Sequence, residues 1–430
     1  MGIRLLCVGD IHLGRRPARL TGELLEVVEA SELTPGRAWR RTVEWAIRER
    51  VDGVLLAGDT VDDEHDFFEA YSHLAEGVER LVSAGIHVLA VAGNHDVQVL
   101  PRLSDAIADF RLVGRGGVWE AVTLAGRDGT KAILMGWSFP AREVHTSPLA
   151  SLPARNSREL PVIGLLHCDR DGSGSRYAPV RARELEEAGF DAFLLGHIHR
   201  PDPFTGGQSI GYLGSLSGLN PTETGVHGPC LLEVKAGGRL HIERIPLAPL
   251  RWERIDLDVS DLTEAGELGG RITARIEALH QEVRGAEHRP RAVGVRIRLT
   301  GRTALRRDVD QWLRREQPRQ LVIVREDVAY FVQRICPELR PAVDLEELAR
   351  GGADPAALLA RKLLALERPG DPERAELIER ARARFAQVAG SQSYGALDRP
   401  APDDQATVEL LKQAAAAALD ELLAQREAAS

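Results

Sequence analysis

Gly2-Ile3-Arg4-Leu5-Leu6-Cys7-Val8-Gly9-Asp10-Ile11-His12 opens the chain with an apolar run that stops at a polar turn. The pattern returns four times. Residues 54–57 lead to Gly58-Asp59, 88–92 to Gly93-Asn94-His95-Asp96, 162–166 to His167, and 192–195 to Gly196-His197-Ile198-His199. A short, continuously apolar run bounded by glycine or polar residues reads as a strand buried on both faces. Residues 38–50 and 67–84, between the early runs, have helical spacing. Strand alternating with helix predicts an α/β layered domain. Ligands of such sheets gather at the carboxyl ends of strands, and each polar cluster sits at such an end.

Those clusters hold Asp10, His12, Asp59, Asn94, His167, His197 and His199. Oxygen and nitrogen donors without thiolate suit manganese, iron or zinc. Asp10 and His12 are two residues apart, so in extended backbone they share a face; His197 and His199 repeat the arrangement. A carboxylate can bridge two cations, and Asp59 is the natural choice. Two divalent ions lower the pKa of a water held between them and neutralise charge building on a phosphoryl group. His95 is then the candidate general acid for the leaving oxygen, with Asp96 orienting its ring. Each piece has a bland reading. An isolated Asp-x-His is usually a surface pair, and His-x-His is often structural. The ordered series, each member at a strand end, carries the inference. His65 is read as a surface residue or one at the pocket edge.

The series GDxH, GD, GNHD, H and GHxH resembles the calcineurin-like metallophosphoesterase superfamily over about residues 1–250. The resemblance implies a four-layered αββα sandwich. It implies that Asp10, His12, Asp59 and His199 hold one ion, that Asp59, Asn94, His167 and His197 hold the other, and that His95 is the general acid. Within the superfamily, His12-Leu13-Gly14, Gly93-Asn94-His95-Asp96, Gly211-Tyr212-Leu213-Gly214-Ser215-Leu216 and Glu223-Thr224-Gly225 resemble the SbcD-type DNA repair exonuclease subunits. Residues 165–179, with Tyr177-Ala178-Pro179, resemble their bacterial branch. The implied activity is a manganese-dependent DNA exonuclease, with endonuclease action, in double-strand-break repair. The implied partners are DNA, an SMC-like coiled-coil ATPase docked on C-terminal helices, and a second copy of the chain. The sequence departs from that pattern at Asp62, where relatives carry a second catalytic histidine, and at His227, where the bacterial branch has lysine. A metallophosphatase or cyclic-nucleotide phosphodiesterase, and a non-catalytic DNA-binding scaffold, are the rival readings.

A chain of 430 residues exceeds one ordinary domain. The expected division is a phosphoesterase domain at 1–250, an α+β cap at 251–340 and a helical tail at 341–430. In the cap, 251–259, 293–300 and 321–324 read as strands and 262–283 and 303–316 as helices; Val295, Ile297 and Leu299 share one face, Arg296 and Arg298 the other. Residues 390–404 are rich in Gly, Ser and Pro and read as a linker. In the last helix Val408, Leu411, Ala415, Ala418 and Leu422 fall on heptad a and d positions, an apolar stripe suited to docking.

The net charge of −9 is unlike that of many nucleic-acid binders. The basic residues are, however, mostly arginine, which pairs well with phosphate. Arg15, Arg16, Arg170 and Arg176 are the candidate DNA contacts. The cap arginines Arg296, Arg298, Arg302, Arg306, Arg307, Arg314 and Arg315 read chiefly as a solvated face paired with local acids. Cys7, Cys168, Cys230 and Cys336 form no CxxC pair, which fits idle thiols in a reducing cytoplasm. No apolar run is long enough to span a bilayer, and the N-terminal one is too short for a signal-peptide core.

Overall fold

The computed structural model describes residues 2–62, 67–155, 159–172, 174–235, 237–352, 354–389 and 403–428. The chain divides into two compact units: Met1–Leu257 with Gly266–Leu299 and Gln311–Pro337, and Asp258–Ala265 with Thr300–Asp310 and Glu338–Ser430.

The first unit is built on two sheets. One contains β1 (Gly2–Val8), β2 (Gly53–Ala57), β3 (His87–Val91) and β4 (Phe110–Leu112), which are mutually parallel, and is completed beside β1 by the strands Cys230–Lys235 and Leu240–Arg244. The other contains β5 (Glu120–Ala125), β6 (Lys131–Trp137) and β7 (Val162–His167), then Ala192–Gly196 and Ile210–Tyr212. From β6 onward its strands are parallel. The period of two explains the layers. Ile3, Leu5 and Cys7 of β1 join Leu55, Leu89, Ile163, Leu165 and Leu194 in a core between the sheets. Leu6 and Val8 point the other way and pack with Trp39, Val43, Ala46, Leu74 and Val78 of two helices. Those helices are Pro35–Glu49 and Phe67–Ser83. The outer face of the second sheet is covered by the short helix Ala182–Glu187 and by loops carrying Trp119 and Phe139. The result is the expected αββα order, with a thin fourth layer.

Local chemistry sets the helix ends. The first long helix begins three residues earlier than its apolar spacing predicts, because Thr34 accepts a hydrogen bond from the Arg37 amide and Pro35 occupies the first turn. It ends at Arg50 in the left-handed region, φ 53°. Trp39 is buried and donates its Nε1–H to the His73 carbonyl.

The α+β segment of this unit is a four-stranded sheet in the order Leu250–Asp258, Ala292–Thr300, Val328–Pro337, Val322–Arg325. Its helix, Glu267–Arg284, buries Leu268, Ile272, Ile276, Leu279 and Val283 at helical spacing. The sheet packs on the segment after the first motif: Leu24, Val28 and Leu33 form one cluster with Leu250, Trp252, Ala292 and Phe331. Trp252 also donates to the Gly218 carbonyl, 3.2 Å away.

In the second unit, Arg302–Thr303 pairs with Arg340–Pro341, and the helices Leu345–Ala349, Pro355–Glu367, Pro372–Ala389 and Asp404–Ala428 follow. Asp344 and Asp354 cap two of them. The last helix places Ala415, Leu419, Leu422 and Leu423 against Ala356, Leu359 and Leu363. This corrects the predicted stripe: Val408 and Leu419 are buried, Leu411, Ala415 and Leu422 are half-buried, and Ala418 is exposed. Arg302 and Arg340 both pair with Asp420 on the same helix. Of the expected linker, residues 390–402 lie outside the described residues, as does His65. Among the described residues no helix is long and apolar enough to cross a membrane.

Candidate metal centre

The parallel strands bring the carboxyl ends of β1, β2, β3, β7 and Ala192–Gly196 to one place, and the backbone there is unusually tight. A Cβ on Gly58 (φ +88°) would lie 2.6 Å from His167 Nδ1. One on Gly196 would lie 2.0 Å from the Ala57 carbonyl oxygen. The glycines of the motifs are therefore required by close approach. The polar residues beside them adopt positive φ without being glycine: Asp10 (35°), His12 (52°), Asp59 (47°) and His197 (102°). Each such residue stores on the order of 1–3 kcal/mol of strain.

The side chains converge. His12 Nε2 and His199 Nε2 face each other at 3.0 Å. Asp59 Oδ2 stands 3.9 Å from His12 Nε2 and 3.4 Å from His167 Nε2, between the two rings. His167 Nε2 is 3.1 Å from Asn94 Oδ1. Donor atoms of Asp10, His12 and His199 lie within 4.8 Å of one another, and so do those of Asp10, Asp59 and His167. Asp10 therefore takes part in both groups. The His197 ring lies beside that of His167, centroids 5.2 Å apart, and its backbone amide donates to Asp10 Oδ1 at 3.0 Å. All seven candidate ligands meet, together with His95, whose ring is 5.3 Å from that of His12. The His95 amide donates to Asp59 Oδ1 at 2.9 Å.

Burial governs the electrostatics. It lowers the pKa of His12, and it pushes His197 down to about 3 with help from the neighbouring His167. Both imidazoles thus stay neutral, with a lone pair free for a cation. Burial also pushes His199 down, but the Glu223 carboxylate 3.0 Å from its Nδ1 and the charges of Asp10 and Asp59 together outweigh this and leave it above the usual value. Burial raises Asp10. For Asp59 it acts in the same direction but is overcome by the imidazoles of His167, His12 and His95, so this carboxylate is held below its ordinary range.

Several side chains hold the donors in place. His167 Nδ1 is 3.0 Å from the Ala57 carbonyl, which aims Nε2 at the centre. Glu223 fixes His199 and also accepts from Ser215 Oγ and the Leu219 amide. Asp62 Oδ2 stands 3.8 Å from His12 Nδ1 and pairs with Arg15 Nε at 2.5 Å. Tyr177 packs on His197, centroids 5.1 Å apart. The sequence signalled none of these roles, because Glu223 is 24 residues from His199 and Asp62 is 50 from His12. Asp96 is fully buried, and its two oxygens accept from the Gly93 and Thr60 amides, each at 2.7 Å. These hydrogen bonds tie two motif loops together in place of the expected grip on the His95 ring. Burial and nearby Asp59 push Asp96 up to about 7.

The candidate DNA-contact arginines are engaged with acids. Arg15 pairs with Asp62, Arg16 approaches Glu69 at 3.7 Å, and Arg176 pairs with Glu143 at 3.0 Å. Arg170 pairs with Asp202 at 2.9 Å and lies over the Tyr212 ring.

The donor set fits divalent cations. Two imidazole nitrogens aimed at one another and two buried carboxylates make a cluster that burial penalises unless positive charge is shared among them.

Residues 3–201 match the calcineurin-like phosphoesterase family, and 252–329 match the middle domain of the metallophosphoesterase YhaO. An uncharacterized metallophosphoesterase YhaO of Bacillus subtilis is 29% identical over 52% of this chain and 55% of its own length. The chain thus spans little more than half of that relative. A DNA double-strand break repair protein Mre11 of Aeropyrum pernix is 26% identical over 84% of this chain and 81% of its own. A solved structure of a dimetal phosphatase from Danio rerio covers 54% of this chain and 93% of its own, at 14% identity and a TM-score of 0.33.

Proposed function

We propose that this chain, which belongs to the calcineurin-like metallophosphoesterase superfamily through residues 3–201, is a metal-dependent DNA exonuclease of double-strand-break repair. The observation that carries the phosphoesterase part is the convergence of His12, His199, Asp59, His167 and Asn94 at 3.0–3.9 Å. DNA as substrate is supported by the likeness to a DNA double-strand break repair protein across 84% of the chain, well beyond the first domain.

Asp10, His12 and His199 would hold one ion, and His167, Asn94 and His197 the other, with Asp59 between them. Two divalent ions, manganese by preference for this oxygen and nitrogen set, supply Lewis acidity and a water of lowered pKa. His95 delivers a proton to the leaving alkoxide; its backbone is fixed by the hydrogen bond to Asp59. Glu223 and the Ala57 carbonyl keep the His199 and His167 rings aimed inward. Asp62, neutralised by Arg15, stands where a second histidine is expected, and positions His12 from its outer side. The helical tail would receive a coiled-coil ATPase. Because its own stripe is partly covered, the docking face would include the exposed Phe385 and Leu410.

A phosphatase or cyclic-nucleotide phosphodiesterase is the second reading. It rests on Asp62, whose carboxylate cannot take over the part of a second catalytic histidine. Labelled linear DNA and bis(p-nitrophenyl) phosphate, each incubated with Mn2+, separate the two. We expect cleavage of DNA, and a loss of at least about 100-fold in His95→Ala with both ions retained. Hydrolysis of the small ester with the DNA left intact would assign the second reading. Full activity in His95→Ala would remove the general-acid role.

A further inference from the structure

A polar cavity of about 520 Å³ lies within the first unit, lined by Arg19, Asn220, Thr222, Arg296, Gln333 and Arg334 among others. Three arginines line it, and among the described residues no Asp or Glu does. Among the described residues, Arg19, Arg296 and Arg334 have no acidic partner, whereas the arginines nearest the metal centre are neutralised. The contrast holds within a single strand. Arg298, on the same face as Arg296, is held by Asp256 at 2.8 Å. Arg296 instead sits opposite Arg334 on the adjacent parallel strand, just where the register shifts after Val295. Like charges set side by side repel, and a bulge re-aims its side chain. The buried Oε1 of Gln333 finds no hydrogen-bond donor among the described residues.

The cavity is joined to the candidate metal centre by short connections. Its Arg19 wall is the end of the loop that leaves His12, pinned by the Ala18 amide to the Leu219 carbonyl at 2.8 Å. Its Asn220 wall donates to Glu223 Oε1, the oxygen that also meets His199 Nδ1. We infer that this pocket binds a backbone phosphate of a DNA strand, one removed from the phosphodiester at the ions. The inference rests on the nuclease reading and deepens it. A small ester has no second phosphate to place here, so the pocket selects strands over monomers. Uncompensated arginine is the residue type suited to that task.

The test uses the Mn2+ enzyme with a labelled single-stranded 20-mer and with bis(p-nitrophenyl) phosphate. In the Arg296→Gln/Arg334→Gln double variant, the ratio of kcat/KM on DNA to that on the small diester falls at least about tenfold, through KM. The slope of log kcat/KM against log salt flattens by roughly 0.7 for each DNA phosphate that the variant no longer neutralises. Arg298→Gln, which removes a charge already neutralised, keeps the parent ratio. An unchanged ratio in the double variant, or an equal fall in Arg298→Gln, overturns the inference. Should the parent hydrolyse the small diester and leave DNA intact, the nuclease reading fails. Anisotropy of the uncleaved 20-mer then decides the pocket: binding weakened tenfold by the double variant retains it, and equal or absent binding refutes it.

Discussion

The candidate metal centre and the C-terminal helix are both legible in residue spacing, yet the fold honours the two patterns differently. At the centre, residues from five strand ends come together: His12, His199, Asp59, His167 and Asn94 have donor atoms 3.0–3.9 Å apart, and Asp10 has an oxygen within 4.8 Å of both groups. In the helix Asp404–Ala428, the spacing names Ala418 as a packing position, yet Ala418 is exposed and its neighbour Leu419 is buried. The difference lies in what anchors each group. A residue at the end of a buried parallel strand has its position set by the sheet. A residue on a helix is placed by rotation about one axis. A straight helix drifts only about 20° per heptad from a 3.5-residue repeat, so heptad spacing marks an apolar side, and the helix it packs against decides which neighbouring positions on that side are buried.

If the centre is as rigidly specified as this contrast implies, Asp59→Asn has the largest effect. It removes the carboxylate between His12 and His167, and activity on either substrate should drop on the order of 10³-fold. Metal analysis should then find fewer than two ions per chain. Retention of two ions and near-parent turnover would show that Asp10, which belongs to both donor groups, does the bridging instead.

A sharper version of the comparison tests the shell around the centre. Glu223→Gln keeps the shape of the side chain but removes the charge that steadies His199. Metal affinity, followed by titrating the demetallated protein with Mn2+, should weaken about 10–100-fold. Activity should return at saturating metal. An unchanged affinity would make the hydrogen bond from His199 to Glu223 incidental to ligand positioning.

The smallest effect on activity is expected in the tail. Leu419 is 1% exposed and packs against the helix Pro355–Glu367. Leu419→Ala should destabilise the second unit by about 2–5 kcal/mol, seen in denaturant unfolding or hydrogen exchange. Hydrolysis of the small diester should be untouched. The same substitution at exposed Leu410 should leave stability within about 0.5 kcal/mol. Equal effects at the two positions would show that the buried face is not the one described.

The resemblance within the superfamily is coarser than the site itself. Residues 252–329 match a YhaO middle domain, and the chain is similar to proteins named YhaO and to proteins named Mre11, so the SbcD-type assignment stands as a proposal. The cap arginines divide in a way no pattern foretells. Arg298 and Arg302 are paired, while Arg296 faces an arginine. Adjacency along the chain assigns Asp96 to the His95 ring. In the fold its oxygens turn toward the Thr60 and Gly93 amides, which a linear reading cannot place.

By itself, the amino-acid order marked the five buried strands that end in polar clusters, the alternation of strand with helix, and the seven polar residues at the strand ends; the layer order came from the resemblance, and the strands Phe110–Leu112, Glu120–Ala125 and Lys131–Trp137 went unmarked. Short-range forces suffice for these: apolar runs must be buried, side chains alternate along a strand, and glycine occurs where a Cβ would collide. Only the tertiary structure decided which oxygen meets which ring. Glu223 under His199, Asp62 beside His12 and three arginines that have no acidic partner among the described residues around one cavity are meetings of segments tens to hundreds of residues apart. Their energies depend on distance and burial in the folded chain, and neither quantity exists until the sheets have closed on one another.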